Sequence, residues 1–197
     1  MKKNIKFVCL MMAASTLLVL TACGSGRSIS QAKADEAVEI KNIPCSDCLS
    51  TKELVRSRAM RESMDQQMAQ QMARSSALEE LASKINVAVK ALVEDYYKSS
   101  SVNMNEETQR RFEGLTRQIV DQSVMGYRTI CEKYTVSTKN NGAKVFKCYY
   151  AVEIGQEELA MSLYGGLSKD DKLHLDYDYE KFKKDFEREM NKADKNR

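Results

Sequence analysis

The residues of this 197-residue chain best suited to chemistry are six cysteines and a single histidine, His174. Cys45 and Cys48 form a C-x-x-C turn, Cys45-Ser46-Asp47-Cys48. That spacing suits a local disulfide, a redox dithiol or half of a zinc site. A zinc site needs two further ligands, and His174, between Leu173 and Leu175, is the one imidazole available. A redox dithiol needs a helix start to lower a thiol pKa, and no thioredoxin-like strand–helix–strand pattern surrounds this one. The spacing therefore predicts a local Cys45–Cys48 disulfide or unbonded thiols, with a thiol-redox site as the alternative and no metal. Other catalytic constellations are missing from the sequence: no G-x-S-x-G, no glycine-rich phosphate loop, and acidic pairs such as Glu79-Glu80 that point about 100° apart on a helix. The sequence predicts a non-enzyme without a cofactor.

Cys23 has a different context. Lys2, Lys3 and Lys6 precede an uncharged apolar run of 14 residues, Phe7 to Leu20, the make-up of an export signal. It is too short to span a bilayer, which takes roughly 20 residues. Leu20-Thr21-Ala22-Cys23 resembles a bacterial lipobox, in which the cysteine sulfur receives diacylglycerol and the preceding signal, here residues 1–22, is removed. Two or more acyl chains hold a protein stably on a membrane, at roughly 0.8 kcal/mol per buried CH₂. Gly24-Ser25-Gly26 carries no aspartate after the cysteine, which by resemblance to known sorting patterns implies the outer membrane, and the residues just past the anchor carry no acidic cluster, which favours the periplasmic side. Three of the 31 Lys+Arg and none of the 28 Asp+Glu lie in residues 1–22, so the chain from Cys23 onward is formally neutral. Nucleic acid is not an expected partner.

Several elements must position these groups. Residues 23–36 read as a flexible Ser, Gly and Ala tether, and residues 37–197 as a single α+β domain. Val38 and Ile40 alternate with charged neighbours in a short extended segment that enters the turn through Ile43-Pro44. Residues 53–98 contain no Gly or Pro and repeat apolar residues at helical spacing, predicting one helix of 46 residues. At 1.5 Å per residue it would reach about 69 Å, against a radius of gyration of about 15 Å for such a domain. The helix must then break, near Arg74-Ser75-Ser76, or project. Met60, Met64, Met68 and Met72 form a four-residue stripe in its first half: core filler first, an adaptable partner surface second, a soft-metal site last. Its second half, Leu78 to Tyr97, has a wide apolar face suited to a sheet.

A second helix spans Asn105 to about Gln122, with Phe112, Leu115 and Ile119 inward. Val124–Ser137 and Lys144–Ile154 flank Lys139-Asn140-Asn141-Gly142, a hairpin signal. Phe146, Cys148, Tyr150, Val152 and Ile154 line one face of the second strand, and Ile130, Tyr134 and Val136 one face of the first. Joining these even-numbered sets requires an odd loop of three or five residues. Cys131 and Cys148 then lie on opposite faces, which excludes a bond between them. A short helix, Gln156–Tyr164, ends at Gly165-Gly166; Ser168 and Asp171 resemble a helix start; and Tyr179–Asn191 docks Phe182, Phe186 and Met190 as a narrow stripe.

Ala73-Arg74-Ser75-Ser76-Ala77-Leu78-Glu79-Glu80-Leu81-Ala82-Ser83-Lys84-Ile85 fits an A-x₃-A-x₃-LA-x₂-I helix, and Lys147-Cys148-Tyr149-Tyr150-Ala151-Val152 a later strand. With the anchor and Ile43-Pro44-Cys45, these resemble the bacterial outer-membrane lipoprotein family named after a twenty-kilodalton Helicobacter lipoprotein antigen, in a branch found in gut anaerobes. The resemblance spans about residues 55–155. It implies small alanines that let a helix lie closely on a short antiparallel sheet. The expected protein is an α+β envelope lipoprotein: a long helix on a small antiparallel sheet, peripheral C-terminal helices, a membrane anchor at Cys23 and a non-catalytic structural or protein-interaction role. A thiol-redox protein using Cys45 and Cys48, and partner binding through a Met-rich helix 60–72, are the alternatives.

Overall fold

The computed structural model of the chain describes residues 42–99, 105–173 and 175–195. Strand β1 (Leu54–Ser63) leads into helix α1 (Gln66–Ser99) and helix α2 (Glu106–Val124); strands β2 (Arg128–Thr138) and β3 (Lys144–Gly155) follow, then helices α3 (Gln156–Leu167) and α4 (Tyr179–Lys195). The fold is α+β: an antiparallel sheet in the order β1-β3-β2, with the long helix against it. Val38 and Ile40 lie outside the described residues.

The hairpin has the register that residue parity requires. Tyr134 faces Cys148 and Val136 faces Phe146 across a five-residue loop, residues 139–143, closed by Lys139 N–H to Ala143 O at 2.8 Å. Gly142 takes φ +82° there, a left-handed conformation that glycine adopts without a Cβ penalty. A bulge between Thr129 and Cys131 shifts the lower register, so that Thr129, not Ile130, faces Val152.

The predicted 53–98 helix is corrected at its start. Leu54–Ser63 is a strand, its Val55, Ser57 and Ala59 turned to the inner face while Arg56, Arg58 and Met60 turn outward. Helix-forming Arg, Met and Glu are overridden because β3 is buried from Tyr150 through Ile154 and needs a neighbour on each side. Helix α1 begins only where Asp65 can cap it: its Oδ1 accepts the Met68 N–H at 2.7 Å and its carbonyl the Ala69 N–H at 3.0 Å. From there α1 runs unbroken through Arg74-Ser75-Ser76 for 34 residues, about 51 Å. The methionine stripe is dispersed by the same correction. Met60 lies on β1, Met64 in the turn, and only Met68 and Met72 on α1, so the four share no common helix face, and Met60, Met64 and Met68 are exposed.

Ala69, Ala73 and Ala77 are fully buried, and the Ser57 hydroxyl donates to the Ala77 carbonyl across the layer. Small residues allow that close approach. The wide apolar face from Leu81 onward is also met by α4 and the segment leading into it. Lys84 pairs with Asp194 at 2.8 Å, Tyr96 stacks on Tyr177, and the Tyr97 hydroxyl donates to the Leu173 carbonyl. Phe182, Phe186 and Met190 are buried as the narrow stripe predicts. On α2, capped by Asn105, the buried residues are Phe112, Thr116 and Val120, with Leu115 and Ile119 half-buried. Gly165-Gly166 does not end α3. A Cβ on Gly166 would stand 2.3 Å from Ile119 Cδ1, so glycine here admits the neighbouring helix. Ser168 to Leu173 forms turns rather than a helix.

Three carboxylates are held below their ordinary pKa. Burial works to raise Asp185, but the Tyr177 hydroxyl and Arg188 outweigh it. Burial opposes ionisation of Glu189 too, and Lys192 and Arg188 prevail. At Asp170 the Arg111 hydrogen bond dominates.

Two predictions follow from this packing. Ala73→Leu overpacks the helix–sheet seam and is expected to cost about 1–3 kcal/mol, seen as a lower urea midpoint. Carboxylates with lowered folded-state pKa stabilise above their unfolded values of roughly 4 and lose that contribution as pH falls through the folded ones. The urea midpoint should therefore drop between pH 5 and pH 3, less steeply in Asp185→Asn.

Candidate functional site

The outer face of the sheet, opposite α1, carries the cysteine chemistry. Here β3 presents Tyr149, Ala151 and Glu153, paired across β1 with Met60, Arg58 and Arg56 and across β2 with Lys133, Cys131 and Arg128. Glu153 is buried between two cations on the neighbouring strands, 2.9 Å from Arg56 Nε and 3.0 Å from the Arg128 guanidinium. Buried carboxylates require such partners.

Residues 43–50 form a strap against this face. Ile43-Pro44-Cys45-Ser46 is a turn closed by Ser46 N–H to Ile43 O at 3.2 Å, with Pro44 second and Cys45 third at φ +60°. This is the type II pattern, whose third position favours glycine or asparagine. A second turn follows, Cys48 N–H to Cys45 O at 3.3 Å. Arg58 donates to the Ser46 carbonyl and Arg56 to the Leu49 carbonyl, the latter at 3.0 Å. The Ser50 hydroxyl accepts the Arg56 N–H at 3.0 Å and donates to the Arg56 carbonyl at 3.3 Å, blunting the open edge of β1.

The strap is fixed covalently by a disulfide between Cys45 and Cys131, with Cα atoms 5.8 Å apart and 86 residues of separation. This corrects the expected Cys45–Cys48 disulfide. Cys45 Sγ sits 3.8 Å from the Tyr149 carbonyl oxygen, and Cys131 faces Ala151, which is fully buried. Cys131 and Cys148 lie on opposite faces, as parity demands, and Cys148 is a free, buried thiol opposite Tyr134. Cys48 is free and half-exposed. Burial and then Asp47 raise its pKa, against the opposing pull of Arg56 and Arg58.

A hollow of about 440 Å³ adjoins the strap, lined by Cys48, Ser50, Arg56, Arg58 and Lys84 among others. Its cations are engaged: Arg56 by Glu153, Arg58 by the Ser46 carbonyl, and Lys84 by Asp194 and the Arg56 carbonyl at 2.8 Å. Among the described residues, no group of three or more His, Cys, Asp or Glu side chains could hold a metal ion, and no helix is long and apolar enough to cross a membrane. Cys23 and the segments expected to be signal and tether lie outside the described residues, as does His174. The arrangement can therefore do disulfide chemistry and hold a strap. Sequence reasoning missed Cys131 as the partner of Cys45 because no spacing reports a contact that depends on an unrecognised strand. No family model, curated protein or solved structure matches this chain.

The raised pKa leaves Cys48 protonated at neutral pH. Iodoacetamide should modify it several-fold more slowly at pH 7 than a cysteine in a short peptide, with a rate still climbing above pH 8.5, near where an ordinary thiol is half ionised. Peptide mass mapping after timed quenching reads both rates.

Proposed function

We propose that the chain is a lipid-anchored envelope protein, moored through acylated Cys23 to the outer membrane on its periplasmic side, whose domain has a non-catalytic structural or protein-interaction role. The Cys45–Cys131 disulfide is the observation that carries this reading. Such bonds persist in oxidising compartments outside the cytoplasm, where an export signal of residues 1–22 would deliver the chain. The alanine seam of α1 on a three-stranded antiparallel sheet supports kinship with the family named after the twenty-kilodalton Helicobacter lipoprotein antigen. The site favours this reading over a resting C-x-x-C redox dithiol, because Cys45 is bonded elsewhere and Cys48 is not activated.

Metabolic labelling with a palmitate analogue tests the anchor. The native chain should carry label and sediment with membranes, while Cys23→Ser should lose the label and appear in the soluble fraction. An unlabelled native chain, or a Cys23→Ser protein still held on membranes, overturns the proposal.

A further inference from the structure

Cys45 stands within disulfide reach of two partners. Its bond to Cys131 spans 5.8 Å between Cα atoms. The hydrogen bond from the Cys48 N–H to the Cys45 carbonyl closes a four-residue turn. Such turns bring their end Cα atoms within about 7 Å, and disulfides form across roughly 4.4–6.8 Å. Cys48 is a free thiol on that turn, and Cys45 is held with φ +60°, a conformation that costs a non-glycine residue energy.

We propose that Cys45, Cys48 and Cys131 form a three-cysteine exchange site, in which Cys48 displaces Cys131 from Cys45 and so unlatches the strap from the sheet. The Cys48 thiol first loses its proton to water. The thiolate attacks Cys45 Sγ, the new Cys45–Cys48 bond forms as the Cys45–Cys131 bond breaks, and the departing electron pair leaves on Cys131 Sγ, which takes up a proton. One disulfide replaces another, so no oxidant or reductant is consumed. The product frees the strap from β2 and uncovers the outer face around Ala151, beside the Glu153 ion row. Burial of the Cys48 thiol makes the exchange slow at rest, and a change that exposes the strap would speed it. This inference does not depend on the lipid anchor.

The test uses the full chain purified without reductant, incubated at pH 8.5, acid-quenched, alkylated with N-ethylmaleimide, digested with trypsin and analysed by mass spectrometry. The peptide 42–52, which carries both Cys45 and Cys48, should pass from a cross-link with the Cys131 peptide to an internally oxidised form lighter by two hydrogens. Label should move from Cys48 to Cys131 in equal amount. In Cys48→Ser the Cys131 label should be lost, and Cys131→Ser should give the internally oxidised peptide after mild oxidation. Absence of Cys131 labelling in the native chain, or labelling that persists equally in Cys48→Ser, overturns the proposal. The native chain alone decides the matter should Cys131→Ser fail to fold.

Discussion

The structure is governed by one constraint: β3 is buried on both faces from Tyr150 to Ile154, so it must be flanked by two strands and covered by two layers. An antiparallel sheet with one solvated face would not need this. The inner layer is a long helix that comes close because its contact residues are alanines. The outer layer is only a strap of eight residues or so, too short to form a stable layer by its own packing, and it is held by a covalent bond and by arginines that donate to its carbonyls. Small size on one side and a chemical bond on the other solve the same burial problem.

The buried charges obey the same constraint. Glu153 sits in the covered outer layer and is tolerated because β1 and β2 each place an arginine directly opposite it. Losing either neighbour strand would remove one of its two cations, which couples the electrostatics of the face to the sheet order. On α4, Asp185 and Glu189 are similarly met by Arg188, Lys192 and the Tyr177 hydroxyl. There, ion pairing secures a helix whose apolar stripe is narrow.

What the sequence made legible was local or periodic. The parity of Tyr134, Val136, Cys148 and Tyr150 set the hairpin register and the odd loop, and Phe182, Phe186 and Met190 marked the buried side of α4. The first strand was hidden because Arg56, Arg58, Met60, Arg61 and Glu62 are good helix formers and only Val55, Ser57 and Ala59 betray a period of two. The partner of Cys45 was hidden for a related reason. Its proximity to Cys131 depends on β1 completing the sheet and on the strap crossing it, so an error over ten residues removed the means of finding a contact 86 residues away. The same misreading gave the methionines a common face they do not have.

The disulfide also fixes how the molecule bears load. A pull on the chain ahead of Cys45 enters the fold at that sulfur and passes straight to β2, bypassing β1, α1 and α2, which lie within the covalent ring it closes. Tension cannot draw those elements out, since the ring cannot lengthen. The force is met instead by the ladder between β2 and β3, loaded near its bulged end, while the long helix stays slack. Breaking one bond between two sulfurs would reverse that order, and the strand nearest the pull would then be the first to peel.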